Sequence, residues 1–155
     1  MNKLIQSEDV KATGQVHIQV FDAAGNLKDE HKVKNLVVTV GKQHIAAKIA
    51  ATTNSPAAMT HMAIGSGSGT PAAGDTTLGT ELGRVGLSGS VVSTNTITYT
   101  ATFPAGTGTS TSPGVQEAGI FNASSAGTLL CRTTFPSVAK AAGDSIAVTW
   151  VVTVS

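Results

Sequence analysis

Apolar residues alternate with small or polar residues through most of this chain, and a period of two is the pattern of half-buried β-strands. The alternation is clearest in 16–20, 97–103 and 146–154. About seven or eight such segments, rich in threonine and β-branched residues, follow one another at the short spacing typical of all-β domains. The pattern predicts a mainly β protein with an antiparallel, jelly-roll-like β-sandwich.

One segment departs from this period. Val38, Gly41, Ile45 and Ile49 recur at the three-to-four spacing of an amphipathic helix. We therefore expect a short helix near 40–51, and no other long one. A chain of 155 residues is one domain by length. We expect a polar N-terminal arm over residues 1–12 and a single sandwich domain over 13–155.

Local patterns predict where several strands and turns lie. Charged residues crowd the segment 27–38, which suits an edge strand or an outer face, whereas 146–154 is apolar enough for the middle of a sheet or for contact with a partner. Residues 85–91 predict one strand region, and 104–114 a long loop. A hairpin is expected between 117–121 and 128–135. Asp75 is the expected cap of a single helical turn that carries Leu78 and Leu82.

Charge is distributed unevenly along the chain. Twelve acidic and basic side chains lie in the first 48 positions, and seven occupy residues 49–155: Asp75, Glu81, Arg84, Glu117, Arg132, Lys140 and Asp144. The surface of a soluble monomer is usually about a quarter to a third charged. A surface of Thr, Ser, Gly, Ala and Val is suited to contact with neighbours, so we expect a protein that works inside an assembly.

The composition argues against several classes of partner. The formal net charge of +1 and the aromatic content of 4% give little attraction for nucleic acid. No apolar run approaches the ~18 residues of a membrane-spanning helix, and the N-terminus has no secretory signal pattern. The single cysteine, Cys131, excludes an internal disulfide and fits synthesis in a reducing cytoplasm.

The motifs of common active sites are incomplete. The glycine-rich segment 65–71 lacks the Lys-Ser/Thr pair of a phosphate-binding loop. The four histidines do not have the spacing of a zinc-binding helix. Serines are abundant, but no nucleophile elbow lies between a strand and a helix. We therefore predict no enzyme activity, no metal and no cofactor.

Glu117 is the one carboxylate that calls for an explanation. It precedes the apolar run 118–121 in a region with almost no other charge. A carboxylate there needs a partner or water. An ion pair with one of the two arginines, Arg84 or Arg132, is the favoured interpretation, and a catalytic carboxylate is the alternative.

Three segments together carry a resemblance to a known group of proteins. The first joins Met62-Ala63-Ile64-Gly65 through a glycine-rich loop to 75–84. The second runs from 115–121 into 127–132, and the third is 143–150. This order resembles small structural proteins of tailed bacteriophages, including capsid decoration (cement) proteins and the β-rich parts of tail-fibre and tail-collar proteins.

The resemblance implies a structural role and an ion-pair cluster. In such a sandwich, Glu81, Arg84, Glu117 and Arg132 are expected to tie the turn at 78–82 to the hairpin at Glu117. The implied function is a non-enzymatic virion protein on the capsid exterior, made in the host cytoplasm. Its partners would be the major capsid protein and further copies of itself, as a dimer or trimer. A tail adaptor, baseplate or fibre-base protein is the second possibility, and a carbohydrate-binding module is the third.

Four parts of the chain are candidate contact surfaces. They are the N-terminal arm, the charged first hairpin, which joins the strands predicted at 16–20 and 27–38, and the loops at 65–75 and 104–114. The sequence does not choose among them.

Overall fold

The computed structural model describes residues 10–50 and 55–155. Strands dominate these ranges, and one helix interrupts them. The elements in chain order are β1 (Ala12–Phe21), β2 (Leu27–Lys34), β3 (Leu36–Val37), α1 (Thr39–Ala50), β4 (His61–Gly65), β5 (Glu81–Gly86), β6 (Gly89–Ser93), β7 (Thr96–Phe103), β8 (Ser110–Phe121), β9 (Leu129–Lys140) and β10 (Ser145–Val154).

The strands form two five-stranded sheets that pack face to face. Sheet A has the order β2-β1-β10-β7-β6, and sheet B has the order β3-β9-β8-β4-β5. All the strand pairs are antiparallel. The predicted mainly β sandwich with one short helix is thereby confirmed, and the jelly-roll connectivity stays a prediction.

Two predictions about strand position in sheet A are confirmed. The apolar strand β10 lies in the middle of the sheet, between β1 and β7, and the charged strand β2 lies at its edge. Alternate residues of β10, including Val148 and Trp150, are buried against sheet B. The hairpin expected between 117–121 and 128–135 is present as the β8–β9 pair.

Sheet B is covered on both faces. Along β8, Ala118 and Ile120 join the core between the sheets, so the residues between them face the other way. On that outer face a second, smaller apolar cluster forms beneath the segment 66–80 and the start of α1: Val38, Ala63, Leu78, Phe121 and Leu129. This cover turns the outer face of sheet B into an interior.

The helix lies close to β9, and the predicted stripe faces inward at Val38, Gly41 and Ile45 but not at Ile49. A Cβ on Gly41 would collide with the backbone of Leu130, so the helix can approach the strand only because this residue is glycine. Gly41 and His44 are buried, whereas Ile49 is 77% exposed. The assignment of Ile49 to the buried face is therefore wrong. The described residues contain no helix long and apolar enough to cross a membrane.

Three further expectations need correction. The single strand expected over 85–91 is two strands, β5 and β6, that belong to different sheets. The loop expected over 104–114 is shorter, because β8 begins at Ser110. Asp75 caps no helical turn, since 71–80 is irregular and the Asp75 N–H donates to the Ala72 carbonyl.

Most of the predicted arm lies outside the described residues. Its last part is tied to the end of the chain, because the backbones of Lys11 and Ser155 exchange hydrogen bonds in both directions. β1 begins at Ala12, within the segment assigned to the arm.

Candidate functional site

Glu117 is fully buried, and both of its carboxylate oxygens are occupied. The backbone N–H groups of Gly67 and Thr80 donate to Oε1 at 2.8 and 2.7 Å. Oε2 accepts from the N–H of Gly79 at 2.9 Å and from Arg132 Nε and Nη2 at 3.0 and 2.7 Å. The carboxylate therefore connects the segment 66–80 to strand β9.

The strand register and the glycine-rich segment place Glu117 in this position. It lies on the outer face of β8, directly opposite Gly65 of β4. A Cβ on Gly65 would lie 2.5 Å from Glu117 Oε1, and a Cβ on Gly67 would lie 2.8 Å from Glu117 Cδ. The glycines at these two positions are therefore required for space, and the segment read as a flexible loop is in part the wall of a carboxylate site.

Asp75 completes the ion-pair centre. Its Oδ2 accepts a hydrogen bond from Arg132 Nη1 at 2.9 Å and another from the N–H of Ala72. Arg132 is thus shared between two carboxylates, of which Glu117 is fully buried and Asp75 is partly exposed. Charge-assisted hydrogen bonds of this kind are about twice as strong as neutral ones.

The centre keeps its acids ionised. Burial alone would raise the pKa of Glu117, but the hydrogen bonds from Thr80, Gly79, Arg132 and Gly67 outweigh burial and hold that pKa below its ordinary value of 4.5. The pKa of Asp75 is also lowered, first by the N–H of Ala72 and then, against burial, by Arg132. Both groups are therefore anions at neutral pH.

A second ion pair lies near the opposite edge of sheet B. Arg84 Nη2 lies 2.7 Å from Glu81 Oε2. The same guanidinium donates from Nη1 to the carbonyls of Ala123 and Ala126, and its carbon lies 3.7 Å from the centre of the Phe121 ring. Arg84 therefore ties the β8–β9 turn to strand β5.

The structure brings the four predicted residues together as two pairs and not as one cluster. Arg132 lies opposite Gly119, and Arg84 lies opposite Ala63, so two strands separate the arginines. Three strand spacings of about 4.8 Å put their backbones about 14 Å apart. Leu78 packs over Gly119 between them, and among the described residues no ion pair joins the two pairs.

A third polar site lies at the turn between β9 and β10. The ammonium group of Lys140 is buried and donates to the carbonyls of Pro104 and Asp144 at 3.0 and 2.7 Å. The carboxylate of Asp144 accepts from Lys28 Nζ at 2.7 Å and from the N–H of Ala141. The site joins the loop 104–109 and strand β2 to this turn.

All seven charged residues of 49–155 are therefore engaged in structural contacts. Asp75, Glu117 and Arg132 form the first site, Glu81 and Arg84 the second, and Lys140 and Asp144 the third. Glu117 has five donors and no free oxygen that could accept a proton from a substrate. The geometry fits a structural role, in which ion pairs and hydrogen bonds hold the loops against the sheets.

Other reactive groups are inaccessible or dispersed. Burial raises the pKa of the Cys131 thiol well above its ordinary value, so this cysteine is unreactive. In the described ranges, no group of three or more His, Cys, Asp or Glu residues could hold a metal ion. Every aromatic side chain described is buried or half-buried, which leaves no ring exposed as a platform for a sugar.

Two structural residues were missed in the sequence. Asp75 is expected to cap a helical turn, and its position after the glycine-rich segment 65–71 does not indicate that it binds Arg132. Lys140 has a clearer signal, because it lies two residues after the core residue Val138, on a strand whose one other charged residue is Arg132. A lysine there must find hydrogen-bond acceptors.

Comparison of the chain with protein-family models, with curated proteins and with solved structures finds no match.

Proposed function

We propose that this chain is a non-enzymatic structural protein of a tailed-bacteriophage virion, and specifically a capsid decoration protein bound over joints between major capsid subunits. The observation that carries the proposal is the use of charge. Because the charged residues of 49–155 are committed to internal contacts, the outward face of this region consists mostly of neutral, small side chains, with Glu81 and part of Asp75 as charged exceptions. Residues 85–116 contain no acid or base at all.

Such a surface favours broad contact over solvation. Burying threonine, serine and alanine side chains needs no desolvation of charge, which is the largest cost of forming an interface between charged surfaces. Each contact is modest, but symmetry repeats it on every copy, and multivalency then makes the whole coat stable. The fastened loops support this role, since an ordered surface loses less entropy on binding.

The copy number of the chain in purified particles tests the proposal. We expect quantitative mass spectrometry to find it in amounts comparable to the major capsid protein, and electron cryomicroscopy to show its density over the whole shell. Particles that lack it should release DNA at a lower temperature than complete particles.

Each alternative predicts a different result. A few copies at one vertex would replace decoration with a tail adaptor, baseplate or fibre-base role, which the resemblance to tail-collar proteins also supports. Absence of the chain from purified particles would reject both virion roles.

A further inference from the structure

Strand β6 is a neutral edge. It spans Gly89–Ser93, lies at the end of sheet A and is hydrogen-bonded to β7 alone. In a strand, alternate residues point their N–H and C=O groups to opposite sides, so about half of those of β6 point away from β7. The strand has no charge, no proline and no bulge in its register with β7. Charged residues, prolines and bulges are the features by which proteins prevent pairing at a sheet edge, and β6 has none of them.

The two valines of β6 are exposed on opposite faces of the sheet. Val92 lies opposite Ile97, which packs against the core, and Val91 lies opposite Thr98 on the other face. Their exposed fractions are 71% for Val92 and 63% for Val91. If only one face of the strand were exposed, a partner would be expected to pack against that face. Exposure on both faces together with an open edge suits the addition of another strand.

The other edges of the molecule are poor partners for this strand. β2 carries six charged or titratable residues: Lys28, Asp29, Glu30, His31, Lys32 and Lys34. β5 carries the Glu81–Arg84 pair, and β3 is two residues long. Pairing of β6 with β2 of a second copy would also repeat without end and produce fibres. Pairing of β6 with itself closes after two copies.

We propose that β6 pairs antiparallel with β6 of a second copy about a two-fold axis at Val91, so that sheet A continues from one copy into the next. A two-fold axis normal to the sheet keeps each face of the sheet on the same side in both copies. Because successive side chains point to opposite faces, odd-numbered residues must pair with odd-numbered residues and even-numbered with even-numbered ones. An axis at Val91, the middle residue, is the register that pairs all of β6: Val91 meets Val91, Ser90 meets Val92, and Gly89 meets Ser93. Valine then packs against valine or serine, and no charge is buried.

The contact is weak by its size. One five-residue edge covers far less than the roughly 1,600 Å² of a standard interface. It should therefore dissociate in dilute solution and form where copies are concentrated. This inference deepens the proposed function and rests on it for that high local concentration.

Cysteine trapping in the isolated protein tests the pairing and its register. Oxidation of concentrated Val91→Cys protein should give a disulfide dimer, because the two side chains meet on the axis. Ser93→Cys is the matched control: it lies on the same strand and face, but its two copies would be offset by four residues, or about 13 Å along the strands. We expect a severalfold higher dimer yield for Val91→Cys. The native protein should give none, since Cys131 is buried.

Sedimentation supplies an independent readout. The native chain should show reversible dimerisation as its concentration approaches about 1 mM, and Val91→Lys should remain monomeric, because like charges would lie directly opposite each other. Equal dimer yields from the two cysteine variants, or no dimer from Val91→Cys, would overturn the proposal. So would a native chain that stays monomeric throughout.

Experiments on particles separate this inference from the proposed function. Normal copy number of Val91→Lys on the shell, with no cross-link from Val91→Cys in solution, rejects the pairing and leaves the virion role intact. A cross-link in solution, with no copy of the native chain on any particle, rejects the virion role and leaves the pairing intact.

Discussion

The first fifty residues and the rest of the chain use charge in opposite ways. In the described part of the first region, the charged residues of β2 and the lysines of α1 are exposed, and β2 carries most of them; Lys28 is the one that also binds Asp144. In 49–155, each of the seven charged residues makes an internal contact, and four of them are buried: Glu117, Arg132, Lys140 and Asp144. The first pattern repels other chains, and the second fixes loops while it leaves the exterior neutral.

This difference has a consequence for the two edges of sheet A. β2 and β6 end the same sheet, but only β2 has charges that oppose pairing. A chain that protected both edges would stay apart from its copies, and a chain that protected neither would polymerise. One protected edge and one open edge allow association that stops at two copies.

Among substitutions that test this difference between the two regions, Glu117→Ala should cause the largest loss of stability. Glu117→Ala leaves Arg132 and three backbone N–H groups without their acceptor in a buried site, so it should lower the free energy of unfolding by about 3–5 kcal/mol. Urea unfolding, followed by fluorescence of the buried Trp150, measures the loss. Glu30→Ala removes an exposed carboxylate from β2 and should change stability little. Equal losses in the two variants would show that the two regions do not differ.

The next effect concerns the space reserved for that carboxylate. Gly67→Ala places a Cβ 2.8 Å from Glu117 Cδ. Because the carboxylate is held by five donors and cannot move aside, overpacking should cost about 1–3 kcal/mol. Gly69→Ala is the matched control in the same segment, since nothing lies within 4 Å of its added Cβ. If both variants are equally stable in urea, the segment adapts to Glu117 and does not enclose it.

A smaller effect is expected at Lys140. Lys140→Met keeps the side-chain length but leaves the carbonyls of Pro104 and Asp144 without their donor. The change also removes a buried ammonium group, which offsets part of the loss, so we expect a net cost of about 1 kcal/mol. Lys32→Met, on the exposed side of β2, should cost nothing measurable. If Lys32→Met lowers the free energy of unfolding as much as Lys140→Met does, the charges of β2 are not simply exposed surface charges.

The pattern of apolar residues was sufficient to predict the fold class and the placement of the strongest strands. Period-two alternation identified β1, β7 and β10, and the high apolar content of β10 placed it in the middle of a sheet. The pattern did not separate β5 from β6, because a chain can leave one sheet for the other at Leu87 and Ser88 without any change in composition. The predicted helical stripe was right at Val38, Gly41 and Ile45 and wrong at Ile49, which is exposed, whereas His44 is buried.

The sequence predicts that Glu117 forms an ion pair, but it does not predict which residues complete the site. A lone carboxylate in an apolar region must be paired, and this argument identifies Glu117 and an arginine as partners. Which arginine it meets depends on strand order, and strand order follows from long-range pairing that local spacing does not encode. The backbone donors at 67, 79 and 80 were also beyond sequence reasoning, because every residue except proline has an N–H, and only the fold directs three of them at one carboxylate.

The smallest expected effect is the change of folding stability at acid pH, which also distinguishes the carboxylates of the two regions. The folded pKa values of Glu117 and Asp75 are below their ordinary values of 4.5 and 3.8. Depressed carboxyl pKa values contribute stability that is fully present above the unfolded values and is lost as pH falls through the folded ones. The contribution of these two carboxylates to stability should therefore be constant from neutral pH to about 5 and decline below about 4.5.

Two amide variants assign that decline to one region. Glu117→Gln should be less stable at pH 7 but lose less on acidification, since it has no proton to gain in the buried site. Glu30→Gln should keep the slope of the native protein, because the pKa of Glu30 is lowered by exposed neighbours, His17 first, whose effect solvent and salt screen. Urea unfolding at a series of pH values measures both slopes. A native slope in Glu117→Gln would contradict the assignment of the decline to Glu117, and a reduced slope in Glu30→Gln alone would place the acid-sensitive contacts in the first fifty residues.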